Sequence, residues 1–230
     1  MKRSEINQLI QETIEFLQER RFSLPPFGFW SLEDWQQKGS EATEIIENQL
    51  GWDITDFGRG DFRHYGLVLF TIRNGRLEDV PKGGKPYAEK VLIQDVDQFV
   101  PFHYHFSKME DIINRSGGVL VVQVYNPTHD DQLDETPVIV SCDGVQRTVD
   151  AGTGIELAPG ESITLPPRMY HMFWIKEGTG KVLIGEVSSV NDDTSDNRFL
   201  EETTRFAPID EDEEPLHLLY SDYTTFLQRS

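Results

Sequence analysis

Apolar residues at the start of the chain recur at helical spacing. Ile6, Leu9, Ile10, Ile14 and Leu17 share one face over residues 4–22, and Ser4 is placed to cap the first turn. The following SLPPFGFW cannot extend that helix, because two prolines and a glycine intervene. Ser31 and Asp34 have the spacing of a capping box and predict a short helix. Ala42, Ile45, Ile46 and Leu50 form the stripe of another helix over residues 40–50.

From about residue 62 short runs rich in Val, Ile, Phe and Tyr alternate with clusters of Gly, Pro, Asn and Asp. Strands are expected over 64–73, 88–96, 98–106, 118–126, 136–144, 146–152, 154–160, 161–167, 170–178 and 181–190. Strand following strand, with no long helix between, predicts an antiparallel sandwich or barrel. The nearly continuous apolar run GVLVVQV predicts a strand buried on both faces. Beyond residue 190, NDDTSDNRF reads as a polar loop and PIDEDEEP as a solvated acidic surface. LHLLYSDYTTFL reads as a helix that packs back on the barrel. The organisation expected is one domain: a helical extension over 1–60, a β-barrel over 61–198 and a returning segment over 199–230.

Composition narrows the partners. A net charge of −19 repels phosphate backbones and anionic lipid heads, which disfavours nucleic acid and membrane and leaves a neutral small molecule. Cys142 is the single cysteine, so neither an internal disulfide nor a cysteine-based zinc site is expected. The N-terminus lacks the apolar core of a signal peptide, and no run reaches the length of a membrane span. A soluble, cytoplasmic protein in a reducing compartment is the simplest expectation. A homodimer is expected because closed pairs are the commonest assemblies.

The candidate chemistry lies in PFHYHFSKME, residues 101–110, which holds two of the six histidines. Strand side chains alternate faces, so His103 and His105 point one way while Phe102, Tyr104 and Phe106 point the other, into packing. Glu110 follows at a distance that a turn can close. A third imidazole is available in a later strand, where His171 and Phe173 share one face and Met172 and Trp174 the other. Imidazoles with a carboxylate suit divalent manganese, iron, cobalt or zinc. His64, His129 and His217 lie outside this pattern and are expected to be ordinary surface or core residues.

These residues resemble the two motifs of the cupin superfamily. His103, His105, Glu110 and Gly117 have the spacing of the first motif, and Gly160, Pro166 and His171 that of the second. Asp97 and Arg168 stand where the motifs commonly have Gly, and Ile175 where the second ends in Asn. The longer stretches YAEKVLIQDVDQFVPFHYHFSKMEDIINRSGG, LPPRMYHMFW and GEVSSVNDDTSDNRF resemble the D-lyxose isomerase family of cupins. That resemblance implies an all-β cupin barrel with N-terminal helices. It implies a metal-dependent aldose–ketose isomerase acting between D-lyxose and D-xylulose and between D-mannose and D-fructose. His103, His105, Glu110 and His171 would then be the ligands, with Mn2+ the first choice of metal and Zn2+, Fe2+ or Co2+ the alternatives.

An isomerase also needs a proton carrier. Lys108 sits between the ligands, with a solvent-facing lysine as the plainer reading. Glu186 lies in the apolar VLIGEV on the face of Val182 and Ile184, with a rim position as the plainer reading. Lys90, Asp196 and Arg198 are expected to bind sugar hydroxyls. Trp174, Phe173, Tyr104 or Trp52 are expected to wall the pocket. The competing readings are a cupin dioxygenase or decarboxylase with the same ligands, and a non-catalytic sugar-binding cupin.

Overall fold

The structure is a computed structural model and describes residues 1–203 and 208–227. The first strands are β1 (Gly51–Thr55), β2 (Leu67–Arg73), β3 (Tyr87–Gln94), β4 (Phe99–His105), β5 (Glu110–Gly117), β6 (Leu120–Pro127) and β7 (Leu133–Asp134). They are followed by β8 (Val138–Cys142), β9 (Val145–Val149), β10 (Gly154–Leu157), β11 (Ser162–Leu165), β12 (Tyr170–Ile175), β13 (Val182–Ser189) and β14 (Asn197–Phe199). The larger sheet has the order β1-β2-β3-β13-β5-β11-β8-β9. The smaller has the order β10-β6-β12-β4-β14, with β7 paired to β6.

Residue alternation explains how these sheets stack. Leu67 and Leu69 of β2, Leu92 of β3 and Val182 and Ile184 of β13 face the small sheet. There they meet Val100, Leu120, Val122, Val124, Phe173 and Ile175 in a core between the two layers. The intervening residues Val68, Phe70, Ile72, Val91, Ile93 and Leu183 face the other way and are covered by α1 (Arg3–Glu19) through Ile6, Ile10 and Leu17. Each such aliphatic side chain removed from water stabilises the fold by about 1.5–3 kcal/mol. The result is the expected all-β barrel with N-terminal helices.

Several local expectations change. Ser4 does not cap α1; its N–H and hydroxyl both donate to Asp212, at 2.9 and 2.8 Å. A carboxylate from the far end of the chain is a stronger acceptor for helix N-terminal donors than a hydroxyl. The acidic run is therefore an intramolecular clasp as well as a surface. Arg3 is fully buried, and its guanidinium donates to both oxygens of Asp222 at 2.9 Å and of Glu211 at 2.7 and 2.8 Å. The capping box forms as read, with Ser31 N–H donating to Asp34 at 2.9 Å and starting α2 (Leu32–Lys38).

The helix expected over 40–50 contracts to α3 (Thr43–Glu47), and Gly51–Thr55 becomes edge strand β1, so the 1–60 extension is not wholly helical. A helical turn, α4 (Phe62–Tyr65), occupies the start of the strand expected at 64. The C-terminal helix is only α5 (Tyr223–Phe226) after a 3-10 turn at Tyr220–Asp222. Residues 204–207 and 228–230 of the returning segment lie outside the described residues. Among the described residues no helix is long and apolar enough to cross a membrane.

Candidate metal centre and active site

Strand register builds the site. His171 of β12 lies opposite His103 of β4, and β14 places Asn197 opposite His105 and Phe199 opposite His103. One ring nitrogen from each of His103, His105 and His171 falls within 4.8 Å of the others. Glu110, at the start of β5, completes the group: its Oε1 is 3.3 Å from His105 Nε2 and 3.1 Å from His171 Nε2. All four side chains are buried.

The imidazoles are oriented by the backbone. Nδ1 of His103 donates to the Pro101 carbonyl at 2.8 Å, and Nδ1 of His171 to the Met169 carbonyl at 3.0 Å. A carbonyl can only accept, so each Nδ1 carries a proton, and in the neutral ring that leaves the lone pair on Nε2. Burial, then the neighbouring His171 and His105 rings, lower the His103 pKa well below the ordinary histidine value. Burial, then the Lys108 ammonium, lower that of His105. His171 Nε2 is buried and makes no hydrogen bond, although a carboxylate oxygen lies 3.1 Å away. A lone pair facing an anionic oxygen in a dry site is the arrangement that a divalent cation would satisfy, and the donor set fits one.

The motif positions that depart from glycine keep the glycine conformation. Asp97 has φ 75° and Arg168 φ 65°. Aspartate tolerates this left-handed region well. Arg168 is tied in place by Asp131 at 2.7 Å and lies over the Tyr104 ring. At Gly117 (φ 109°) the glycine is required, since a Cβ would sit 2.2 Å from the Lys181 carbonyl. Ile175, in place of Asn, is a core residue.

Beside the imidazoles runs a chain of alternating charges. Lys108 Nζ lies 2.7 Å from Glu110 Oε2, 2.8 Å from Glu186 Oε1 and 3.3 Å from Asn191 Oδ1, so all three of its N–H groups have acceptors. Lys90 is the cross-strand partner of Glu186. Its Nζ donates to Asn191 Oδ1 at 2.7 Å and lies 3.2 Å from Asp193 and 3.8 Å from Glu186. Burial opposes the charge of Lys108, yet the Glu110 and Glu186 carboxylates raise it above the ordinary lysine range. Burial alone would raise Glu110, but Lys108 and then His105 hold it well below the usual carboxylate range.

His103, His105, Lys90, Lys108, Glu110 and Glu186 line one cavity, together with Asp193 and Asn197. Its apolar wall includes Phe57, Phe173 and Phe199, with Phe199 stacked on His103 at 5.4 Å. Lys108 is thus neither solvent-facing nor Glu186 a rim residue; both are buried.

The other expectations fare differently. Arg198 alternates away from the cavity, opposite Tyr104. Asp196 does not line the cavity either; its carboxylate accepts from the Ser107 and Lys108 backbone. Of the four candidate wall aromatics only Phe173 borders the site. Tyr104 is buried on the opposite face of β4 and donates to Asp131. Trp52 packs beneath α1 and donates to the Gly28 carbonyl, and Trp174 lies with Met172 outside the barrel. Phe106 is 45% exposed rather than packed. His64 and His129 are exposed beside Asp61 and Asp130, and His217 donates to the Trp30 carbonyl. Asn191, Asp193 and Asn197 were not singled out from the sequence, because the stretch NDDTSDN has ordinary loop composition although Asn197 begins β14. Phe57 and Phe199 carried no signal beyond being aromatic.

A family model described as D-lyxose isomerase matches residues 1–223. The chain is 47% identical to the D-lyxose/D-mannose isomerase of Serratia proteamaculans, over 99% of this chain and 100% of that one. It is 45% identical to the D-lyxose/D-mannose isomerase of Escherichia coli O157:H7, over 98% and 100%. Among solved structures, the L-ribose isomerase of Cellulomonas parahominis with L-ribose superposes with a TM-score of 0.56 at 15% identity, covering 91% of this chain and 98% of that one. That likeness is one of fold.

Proposed function

The chain belongs to the D-lyxose isomerase family, and on that premise we propose that it interconverts D-lyxose with D-xylulose and D-mannose with D-fructose. The observation that carries this reading is the burial, in one cavity, of an imidazole–carboxylate cluster with an orphaned Nε2 beside the Lys108–Glu186 pair. His103, His105, Glu110 and His171 would hold a divalent cation, manganese first because hard sugar oxygens suit it, with zinc, iron and cobalt as alternatives. Such a cation supplies Lewis-acid stabilisation of negative charge on the substrate oxygens.

The chain's own groups divide the proton transfers. Glu186 takes the proton from the carbon next to the carbonyl and returns it to the neighbouring carbon. Lys108, kept protonated by two carboxylates, turns the N–H of its longest contact, 3.3 Å to Asn191, to the carbonyl oxygen and donates to it as charge develops there. The hydroxyl proton moves between the two sugar oxygens, so the sugar leaves with the atoms it brought. Lys90 and Asn197 are at the cavity wall and are the groups we assign to sugar hydroxyls.

We further propose a cytoplasmic homodimer, on the single Cys142 and on the frequency of closed pairs, which light scattering tests. The helices, barrel and returning segment are proposed to fold as one unit, supported by the Arg3 clasp between the chain's two ends. The activity test is direct: protein loaded with Mn2+, Zn2+, Fe2+ or Co2+ is incubated with D-lyxose and with D-mannose, and ketose is measured. Absence of turnover with every metal refutes the assignment.

A further inference from the structure

Between the ligands His105 and Glu110 the chain makes a turn, and Lys108 is carried on it. Asp196 holds the turn from outside at Phe106, Ser107 and Lys108, and Ser189 holds its end by exchanging hydrogen bonds with Met109. Oδ1 of Asp196 accepts from the Ser107 N–H at 2.8 Å and from the Ser107 hydroxyl at 2.7 Å. Its Oδ2 accepts from the Lys108 N–H at 2.9 Å, and the Asp196 carbonyl accepts from the Phe106 N–H at 3.1 Å. Asp196 is itself buried. Successive backbone N–H groups converging on one carboxylate form an anion nest, here filled by the protein's own acid. The loop that presents Asp196 is closed on itself: Asp192 accepts from the Thr194 N–H through its side chain at 2.9 Å and from the Asp196 N–H through its carbonyl at 3.1 Å.

We infer that Asp196 is a positioning residue that acts through Lys108, fixing the turn so that the ammonium stays between Glu110 and Glu186. It touches neither sugar nor metal in this role. Both lysines that reach Glu186 depend on distant anchors, but only Lys108 depends on this one; Lys90 projects from β3, whose backbone is held by ladders on both sides. Loss of the Asp196 carboxylate frees the turn at Ser107 and Lys108, leaving Met109 tied to Ser189 and Lys90 on its strand. A displacement of about 1 Å at a proton-transfer group costs on the order of 100-fold in rate.

The kinetic arm of the test rests on the isomerase reading; the second arm does not. Asp196→Ala, Lys108→Met and the double variant are compared for D-lyxose turnover with Mn2+. The expected result is a fall in kcat of about 10–100-fold in Asp196→Ala, with KM and bound Mn2+ within about twofold of wild type. In the Lys108→Met background the same substitution costs nothing further, because residues acting as a unit are not additive. Losses that multiply overturn the inference, as does a raised KM with kcat intact, which would mark a sugar-binding residue.

The second arm reads the metal-free protein. Buried lysines resist reductive methylation, and peptide mass spectrometry reports Lys108 and Lys90 separately. Lys108 is expected to be protected in wild type and modified several-fold faster in Asp196→Ala, with Lys90 unchanged. Asp196→Asn is the milder variant should Asp196→Ala fold poorly: it keeps an acceptor for Ser107 and sets an N–H against that of Lys108. Unchanged protection of Lys108 in both variants overturns the inference whether or not any sugar turns over. A wild type with no turnover removes the isomerase reading alone.

Discussion

Replacing Lys108 by Met keeps most of the side-chain volume and deletes the ammonium. Two carboxylates then lose the partner that now sits 2.7 Å from Glu110 and 2.8 Å from Glu186. If Lys108 assists proton transfer, kcat falls by about 10²–10⁴-fold, which is about 3–5.5 kcal/mol of barrier. Metal should remain at neutral pH, since Glu110 still presents Oε1 toward His105 and His171. Its pH dependence should change. Lys108 is the leading influence that lowers Glu110 against the raising effect of burial, so without it the Glu110 pKa moves up. Protons then compete with the metal at a higher pH, and the acid limb of metal binding shifts toward neutrality. Elemental analysis from pH 5 to 8 beside ketose formation checks both parts. A kcat within about threefold of wild type refutes the role in proton transfer. Loss of metal at neutral pH together with activity would instead make Lys108 a support for the ligand set.

Other outcomes follow from the same geometry. His103→Ala and His171→Ala should each lose stoichiometric metal and activity together; a variant that keeps its metal removes that residue from the ligand set. Glu186→Gln should retain metal and lose about 10²-fold or more in kcat, measured at saturating D-lyxose. Arg3→Met leaves the buried Asp222 uncompensated and should destabilise by about 3–5 kcal/mol, which for a chain of this size is about 6–10 °C in thermal midpoint. The second partner of Arg3 adds a pH signature: hydrogen bonding to Arg3 lowers the Glu211 pKa, so its contribution is complete above the unfolded carboxylate range and is lost as pH falls through the lower folded value. That part of the acid limb should be absent from Arg3→Met in urea titrations at pH 3 to 6.

The imidazole cluster was legible because it uses the shortest-range rule of strands. Period two puts His103 and His105 on one face whatever the rest of the chain does. The sheet partners were not legible. β5 was missed because EDIINRSG alternates Glu110, Ile112 and Asn114 on a face that turns inward at the site, so its polar residues are buried rather than solvated. β1 was missed because GWDIT turns Asp53 and Thr55 to the barrel side beside Leu69 and Leu67, where these polar residues are buried. Asp196 was found as a residue but its bond to the turn was not legible, since nothing local says that its donors lie 89 residues earlier at Ser107.

Lys90 and Glu186 show what kind of signal does survive. Both interrupt apolar strands, AEKVLIQ and VLIGEV, and the neighbours of each strand are buried on both faces. A charge in such a strand is too expensive to leave alone, so it must find a counter-charge on the same layer. The register supplies it: Glu186 lies directly opposite Lys90, and their charged ends are 3.8 Å apart. This pairing neutralises only part of the cluster, because Lys108 and Asp193 are also within reach of the same two groups. A purely structural pair would have been closed and self-sufficient. This one stays open to a cavity, with a second lysine donated from a turn, so its charged ends face whatever the cavity admits.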